Sequence, residues 1–210
     1  MITLGFNYSQ MHDSSACIAR DGELLFAVAE ERISRLKHDA GFPRLAIRAC
    51  LDFAKVGVDD LDFICQGWPA PHHVIATDVK CTMRGEYPFT YMNVLNSARL
   101  YASMAHQNGG FNLFTHYFGR PKGQIRFVDH HLAHAISAYS YGGMNNAAVV
   151  VMDGRGAWEA SSIWYGHDGR LDHVLTIPWP NSLGLFYAQF TQYLGFVPNS
   201  DEWKVMGLAP

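Results

Sequence analysis

The chain begins with three consecutive runs in which strand-forming residues alternate with polar or small ones. The runs are Ile2–Tyr8, Ser14–Arg20 and Glu23–Glu31, and Asp21-Gly22 joins the last two. Period-two alternation predicts β-strands, and an Asp-Gly pair between such runs predicts a tight hairpin, because both turn residues must accept positive φ. We therefore expect three antiparallel strands at the start of the chain.

A helical pattern and a short apolar run follow, and then an aromatic-rich segment, residues 68–122, that we interpret as an insertion. Apolar positions three and four residues apart indicate helices, and a short apolar run indicates a buried strand. The predicted elements are a helix from Pro43 to about Gly57, a strand at Leu61–Cys65, insertion helices at Tyr91–Gln107 and Phe111–Phe118, a strand at Ile125–Val128 and a helix at Leu132–Tyr141.

The opening pattern returns in the second half. A strongly apolar strand at Ala147–Met152 is followed by strands at Ala160–Gly166 and Leu171–Ile177 around Asp168-Gly169, and by a helix at Leu183–Leu194. Two copies of β-β-β-α predict an α/β fold with the duplicated ribonuclease-H-like lobes of actin, sugar kinases and Hsp70. In that group the two lobes face each other across a cleft. We assign residues 1–145 to the first lobe and 146–210 to the start of an incomplete second lobe, so we expect a longer protein.

The amino-acid composition narrows the class of protein. An apolar content of 49% in 210 residues suits a globular protein with a sizeable core. The net charge of -3 gives no reason to expect nucleic acid or an anionic membrane as partner. No run approaches the roughly 20 apolar residues of a membrane helix. The cysteines lack CxxC spacing, which favours reduced thiols and a cytoplasmic location.

The stretch VDHHLAHA offers a candidate metal site. His130 and His134 stand four residues apart, so on a helix they share one face and can bind one divalent metal. The glutamate of an HExxH motif is absent, which disfavours protease chemistry. A polar first turn of an ordinary helix is an equally good interpretation of the pair taken alone. His131 points elsewhere, toward a substrate or the edge of a cleft.

The stretch VVVMDGRGAW is a strand that ends in an acidic glycine turn. Asp153 would add a hard oxygen to the two imidazoles, and a His/His/Asp set suits Fe, Zn or Mn. Gly154 and Gly156 would let a phosphate approach the backbone. Taken alone, a hairpin turn whose aspartate accepts backbone hydrogen bonds is the better interpretation.

Further candidates lie outside these two motifs. His12 stands in the first turn, where it could donate to an anion or act as a general base, although a plain polar hairpin explains it too. The helix start at Ser182 and Gly184 would offer N–H groups to a phosphate. Lys204 and Gly207 form another short basic and glycine-containing stretch.

Six stretches in order resemble the carbamoyltransferase family that includes the nodulation-factor, cephamycin and tobramycin carbamoyltransferases. They are GFNYSQMHDSSAC, EERISRLKHDAGFP, VDHHLAHAISAY, VMDGRGAWEASSIW, NSLGLFYAQFTQYLGF and DEWKVMGLAP. The resemblance implies an enzyme in which one domain makes carbamoyl-adenylate from carbamoyl phosphate and ATP. The other domain transfers the carbamoyl group to a hydroxyl or amine of a small molecule, such as a natural product in antibiotic biosynthesis.

The resemblance also implies roles for residues. This chain resembles the first part of the transfer domain and would need a C-terminal adenylate-forming domain. His130, His134 and Asp153 would bind the metal, with a further aspartate beyond Pro210, and His12 would lie at the reacting carbamoyl group. The nucleotide site would be lined by Gly154, Gly156, Ser182, Gly184, Lys204 and Gly207.

Three other functions stay open at this point. One is a tRNA threonylcarbamoyl-transferring relative, which the negative net charge and the lack of a basic stripe disfavour. Another is a nucleotide-binding phosphotransferase or ATPase of the same fold, which would not need the histidine pair. The last is a non-enzymatic fragment that only binds a partner.

Overall fold

The computed structural model describes residues 1–8, 13–68, 83 and 110–209, which belong to two compact units. The first unit comprises Met1–Ala76 and Phe89–Asp129, and the second comprises Thr77–Pro88 and His130–Pro210. The predicted helix Tyr91–Gln107 lies outside the described residues. The division into lobes at residue 145 stays a prediction.

The first unit contains a five-stranded mixed sheet in the order β3-β2-β1-β4-β5. Strands β1, β2 and β3 are antiparallel neighbours, as predicted, whereas β4 and β5 run parallel to β1. This arrangement confirms the α/β class and is that of a ribonuclease-H-like lobe. The strands are β1 Ile2–Asn7, β2 Ser15–Arg20, β3 Glu23–Ala29, β4 Phe63–Gln66 and β5 Gln124–Phe127.

Both predicted Asp-Gly turns form. The φ angles are 53° at Asp21 and 87° at Gly22, and they are 47° at Asp168 and 72° at Gly169. Positive φ at both central residues is what a type I′ hairpin requires, and aspartate and glycine tolerate it better than other residues. Local sequence therefore determines both hairpins.

Three helices of the first unit are described, α1 Glu30–Ser34, α2 Arg44–Ala54 and α3 Gly110–Phe118. Helix α2 packs on β2 and β3, and its apolar face joins a core that also includes Leu4, Ile18 and Phe114. Helix α1 was not predicted, because Glu30 and Glu31 continue the run assigned to the third strand. That strand ends at Ala29 instead.

The end of β3 is explained by Glu30, whose carboxylate turns into the core. Its side chain accepts hydrogen bonds from the backbone N–H groups of Leu45 at 3.0 Å and Ala46 at 2.7 Å. The N-cap residue of α2, Pro43, supplies no side-chain cap. A buried carboxylate 15 residues upstream therefore caps α2 and complements its dipole.

The second unit repeats the predicted β-β-β-α order. Strands β6 Asn146–Met152, β7 Glu159–His167 and β8 Arg170–Pro178 form an antiparallel sheet in sequence order. Its helices are α4 His130–Tyr141, α5 Leu183–Tyr193 and α6 Glu202–Leu208, the last of which was not predicted. Within the described residues, no helix has both the length and the apolar character needed to cross a bilayer.

Helix α4 lies on one face of the second sheet. It contacts β6 and β7, and its buried Ala135 packs against Val149 and Val151. These two valines alternate along β6 with exposed residues, so one face of the strand is covered by α4. The packing places the first turn of α4 beside the sheet that carries the Asp153 turn.

We expect Glu30→Ala to lower the free energy of unfolding by about 2–3 kcal/mol, because two N–H groups lose a charged acceptor. Glu30→Gln should lose roughly half as much, since one oxygen acceptor remains. Glu23→Ala, at an exposed position of β3, is the control and should change stability by less than about 0.5 kcal/mol. Urea unfolding measures all three, and equal values for Glu30→Ala and Glu23→Ala would contradict the capping role.

Candidate metal centre

Three side chains able to bind a metal meet in the second unit. His130 Nε2 lies 2.9 Å from Asp153 Oδ2, and His134 Nε2 lies 3.1 Å from His130 Nε2. All three ligand atoms lie within 4.8 Å of one another. The structure thus brings together the two imidazoles and the carboxylate that the sequence placed in separate motifs.

Local structure explains why these side chains converge. Helix α4 begins at His130, so its first and fifth residues share a face. Asp153 directly follows β6, where its backbone N–H donates to the Ala160 carbonyl at 2.9 Å. The Gly154 N–H in turn donates to Asp153 Oδ1 at 2.6 Å. One carboxylate oxygen is therefore held by the turn while the other faces His130.

Electrostatics favour the forms that bind metal. Burial alone would raise the pKa of Asp153, but the hydrogen bond and charge of His130 outweigh it and lower that pKa to about 2. Burial and the neighbouring His130 lower the pKa of His134, although Asp153 partly opposes this. At neutral pH the site therefore offers an anionic carboxylate and a neutral His134 ring, and metal ions bind carboxylates and neutral imidazoles.

The residues fit a divalent transition metal. The 2.9 Å and 3.1 Å separations are close to the roughly 3.0 Å between ligand atoms that lie about 2.1 Å from one ion at right angles to each other. Two imidazoles and a carboxylate are a donor set used for Fe, Zn and Mn. The side chains of His130 and Asp153 are partly accessible, at 17% and 28%, so the site is not sealed in the core.

His131 is directed away from this cluster, and the sequence did not reveal its surroundings. Its side chain is fully buried, and Nδ1 lies 2.8 Å from Ser162 Oγ. Substrate contact, one of the roles considered from sequence, would require an accessible ring. Ser162 and Glu159, two buried polar residues of β7 beside His131, were missed because they lie in a predicted strand without a motif.

The first turn of α5 packs directly on the Asp153 turn. Ser182 Oγ donates to the Asp153 carbonyl at 2.7 Å and accepts from the Leu185 N–H at 3.0 Å. A Cβ at Gly184 would lie 2.7 Å from Gly154 N and 2.9 Å from the Asp153 carbonyl. Packing inside the chain therefore accounts for Ser182 and Gly184 without a nucleotide.

The other predicted nucleotide residues differ in their surroundings. A Cβ at Gly156 would lie 2.6 Å from His131 Cδ2, whereas Cβ atoms at Gly154 and Gly207 would meet open space. Lys204 Nζ pairs with Asp201 at 2.9 Å. The nucleotide-binding roles of these residues stay predictions. His12 lies outside the described residues.

Comparison with known proteins decides the family. The family model described as "Carbamoyltransferase N-terminus" matches residues 3–210. The chain belongs to this family. It is 34% identical over 209 residues to nodulation protein NolNO of Sinorhizobium fredii, covering 95% of this chain and 28% of the relative. It is 36% identical over 208 residues to "Uncharacterized protein sll1178" of Synechocystis, covering 95% of this chain and 33% of the relative.

The carbamoyltransferase-family chain spans about a third of the length of these two relatives. A shorter match, 39% identical over 83 residues, is to nodulation protein NolO of Bradyrhizobium diazoefficiens and covers 40% of this chain and 15% of that protein. Among solved structures, YeaZ from Pseudomonas aeruginosa is similar at a TM-score of 0.41 and 14% identity, covering 85% of this chain and 69% of that chain. A likeness of that size carries no argument about function.

We expect Gly184→Ala to lower the free energy of unfolding by about 1–3 kcal/mol, because the added methyl group forces α5 away from the Asp153 backbone. Gly207→Ala is the matched control in α6, where the methyl group meets open space, and it should stabilise the protein by up to about 1 kcal/mol. Thermal or urea unfolding compares the two. Equal effects would show that α5 does not pack on the turn as described.

Proposed function

We propose that this chain provides the metal-binding part of an ATP-dependent carbamoyltransferase. The enzyme moves a carbamoyl group from carbamoyl phosphate, by way of carbamoyl-adenylate, to a hydroxyl or amine of a small molecule. The observation that carries the proposal is the meeting of His130, His134 and Asp153 within hydrogen-bond distance in a member of this family. The small-molecule acceptor follows from the resemblance of the sequence to small-molecule carbamoyltransferases, and two of the relatives are nodulation proteins.

The chemistry calls for a site of this kind. The acceptor oxygen or nitrogen forms a bond to the carbamoyl carbon, the bond from that carbon to the phosphate oxygen breaks, and AMP leaves with the electron pair. Negative charge develops on the carbonyl oxygen and on the phosphate. A divalent ion supplies Lewis-acid stabilisation of such charge when bound. The acceptor proton goes to a general base. We assign this role to His12, which by the family resemblance would lie at the reacting carbamoyl group.

The residues of the second unit would hold that ion through His130, His134 and Asp153. Asp153 is itself oriented, because Gly154 donates to its Oδ1 and Ser182 donates to its carbonyl. Ligands that are held by neighbouring hydrogen bonds lose less freedom on binding. Fe, Zn and Mn all suit this donor set, and we place one more carboxylate ligand elsewhere in the longer protein.

We place the ATP-derived nucleotide at the glycine turn and at α6. Support comes from Gly154 and Gly207, where a side chain would meet open space as far as the described residues go. Backbone N–H groups at such glycines can approach a phosphate closely. Formation of the adenylate itself belongs to a separate domain of the longer enzyme. The free thiols of Cys17, Cys50 and Cys65 fit a cytoplasmic enzyme.

The first test incubates the full-length protein with ATP, with and without carbamoyl phosphate. We expect pyrophosphate release that depends on carbamoyl phosphate, because adenylate formation expels pyrophosphate. The measurement separates pyrophosphate from ADP. Release of ADP, or release of pyrophosphate that does not depend on carbamoyl phosphate, would overturn the proposal and favour a phosphotransferase or ATPase.

The second test replaces two ligands in the full-length protein. His130→Ala/His134→Ala should lose bound metal and carbamoyl transfer while folding almost unchanged, because both imidazoles are part of the metal site and partly accessible. His12→Ala is the comparison, since it should keep its metal but transfer more slowly. Elemental analysis and a transfer assay measure both properties. Unchanged metal content in the double variant would refute the ligand assignment.

A further inference from the structure

We propose that His131 is a positioning residue of the metal centre. Its side chain prevents α4 from rotating relative to the Asp153 turn, because the ring packs against Gly156 of that turn. The inference rests on the proposed metal site. It assigns a role to the histidine of the HH pair that does not bind metal. Four observations carry it: burial, a hydrogen bond, a close approach to glycine, and the place of His131 in the helix.

His131 occupies an interior position beside two buried polar residues of β7, Ser162 and Glu159. Its side chain is completely buried, and so is that of Ser162, at 1% exposure. Burying an imidazole costs free energy unless hydrogen bonds replace its contacts with water. A leucine would take this polar neighbour away from the buried Ser162 hydroxyl and from the Glu159 carboxylate, whose Oε2 lies 3.8 Å from His131 Nδ1. The polar ring therefore calls for an explanation in terms of direction, which apolar packing does not supply.

A hydrogen bond joins the His131 ring to β7. Trp164 Nε1 donates to Ser162 Oγ at 2.9 Å, and Ser162 Oγ lies 2.8 Å from His131 Nδ1. Because an indole N–H only donates, Ser162 keeps its own proton to give. The chain Trp164–Ser162–His131 ties the first turn of α4 to β7.

The opposite edge of the ring lies against the Asp153 turn. A Cβ at Gly156 would stand 2.6 Å from His131 Cδ2 and 2.8 Å from Nε2, closer than real side chains approach. The turn is closed at both ends, since Asp153 N–H donates to the Ala160 carbonyl and Gly156 N–H donates to the Glu159 carbonyl at 2.7 Å. One rigid turn thus contacts His131 at Gly156 and His130 at Asp153.

Because all three histidines belong to one helix, the contact of His131 with Gly156 also determines where His130 and His134 point. Successive residues of an α-helix point about 100° apart, as 3.6 residues make one turn. Holding the direction of His131 therefore holds His130 beside it and His134 one turn later. Metal sites accept deviations of only about 0.2 Å in ligand distance, so a small roll of α4 would move both imidazoles out of place.

The test measures cobalt affinity in the full-length protein, from the visible absorption of bound Co²⁺, at a temperature where every variant is folded. We expect His131→Leu to weaken cobalt binding roughly 10- to 100-fold, and Ser162→Ala to weaken it by roughly tenfold. His131→Asn should recover most of the affinity, because its amide reaches the position of Nδ1. A merely structural role would change unfolding and leave the affinity of the folded protein unaltered.

A double-mutant cycle of Gly156 and His131 tests the contact between them. It does not depend on the His131→Leu variant. Gly156→Ala should weaken cobalt binding by at least tenfold, whereas Gly57→Ala in the first unit, where the nearest atom to the added methyl group is Asp60 Oδ2 at 3.5 Å, should change it by less than about twofold. Adding His131→Ala to Gly156→Ala should restore part of the loss, since the shortened side chain no longer meets the methyl group.

The outcomes separate this inference from the proposed function. A wild-type protein that binds no cobalt would overturn both. If the wild type binds cobalt and His131→Leu binds it equally well, or if the Gly156 and His131 effects simply add, only the positioning role is wrong. Complete loss of cobalt binding in His131→Asn would make His131 a ligand and would also overturn the inference.

Discussion

The Asp153 turn is the constraint on which the second unit depends. It follows β6, so the sheet sets where it begins, and two helices then contact its backbone and side chain. Helix α5 contacts it through the hydrogen bond of Ser182 and through Gly184, where a side chain would not fit. Helix α4 reaches it through His130, which meets the carboxylate at 2.9 Å. A carboxylate held in this way is oriented before any ligand arrives, which is the condition for tight and selective metal binding.

In two doublets of identical residues, one member is buried and the other is partly accessible. In Glu30-Glu31, Glu30 is buried and caps α2, while Glu31 accepts the backbone N–H of His38 at 2.9 Å. In the histidine pair, His131 is buried and bonded to Ser162, while His130 faces Asp153. In each case a buried polar residue positions a helix. A polar group in the core is costly unless it is bonded, and its bonds are directional, so it specifies one arrangement better than an apolar residue does.

Packing distinguishes glycines that the sequence alone does not tell apart. All four of the glycines considered for a nucleotide site carry the same local meaning, a backbone open to close approach. The structure divides them. Gly156 and Gly184 are required because His131 and the Asp153 backbone fill the space of a side chain, whereas Gly154 and Gly207 face open space. Packing among the described residues therefore explains the first pair and does not explain the second.

The sequence by itself determined what depends on neighbouring residues. Strand alternation, the two Asp-Gly turns and the i, i+4 spacing of His130 and His134 are local properties, and each strand or helix predicted within the described residues appears within a few residues of its expected position. The repeated β-β-β-α order, and with it the fold class, followed from the same patterns. Tertiary structure alone decided which polar residues enter the core. Glu30 bonds to residues 15 and 16 positions away, and His131 bonds to one 31 positions away. The free energy of such contacts depends on the packing of separate elements, which no local pattern encodes.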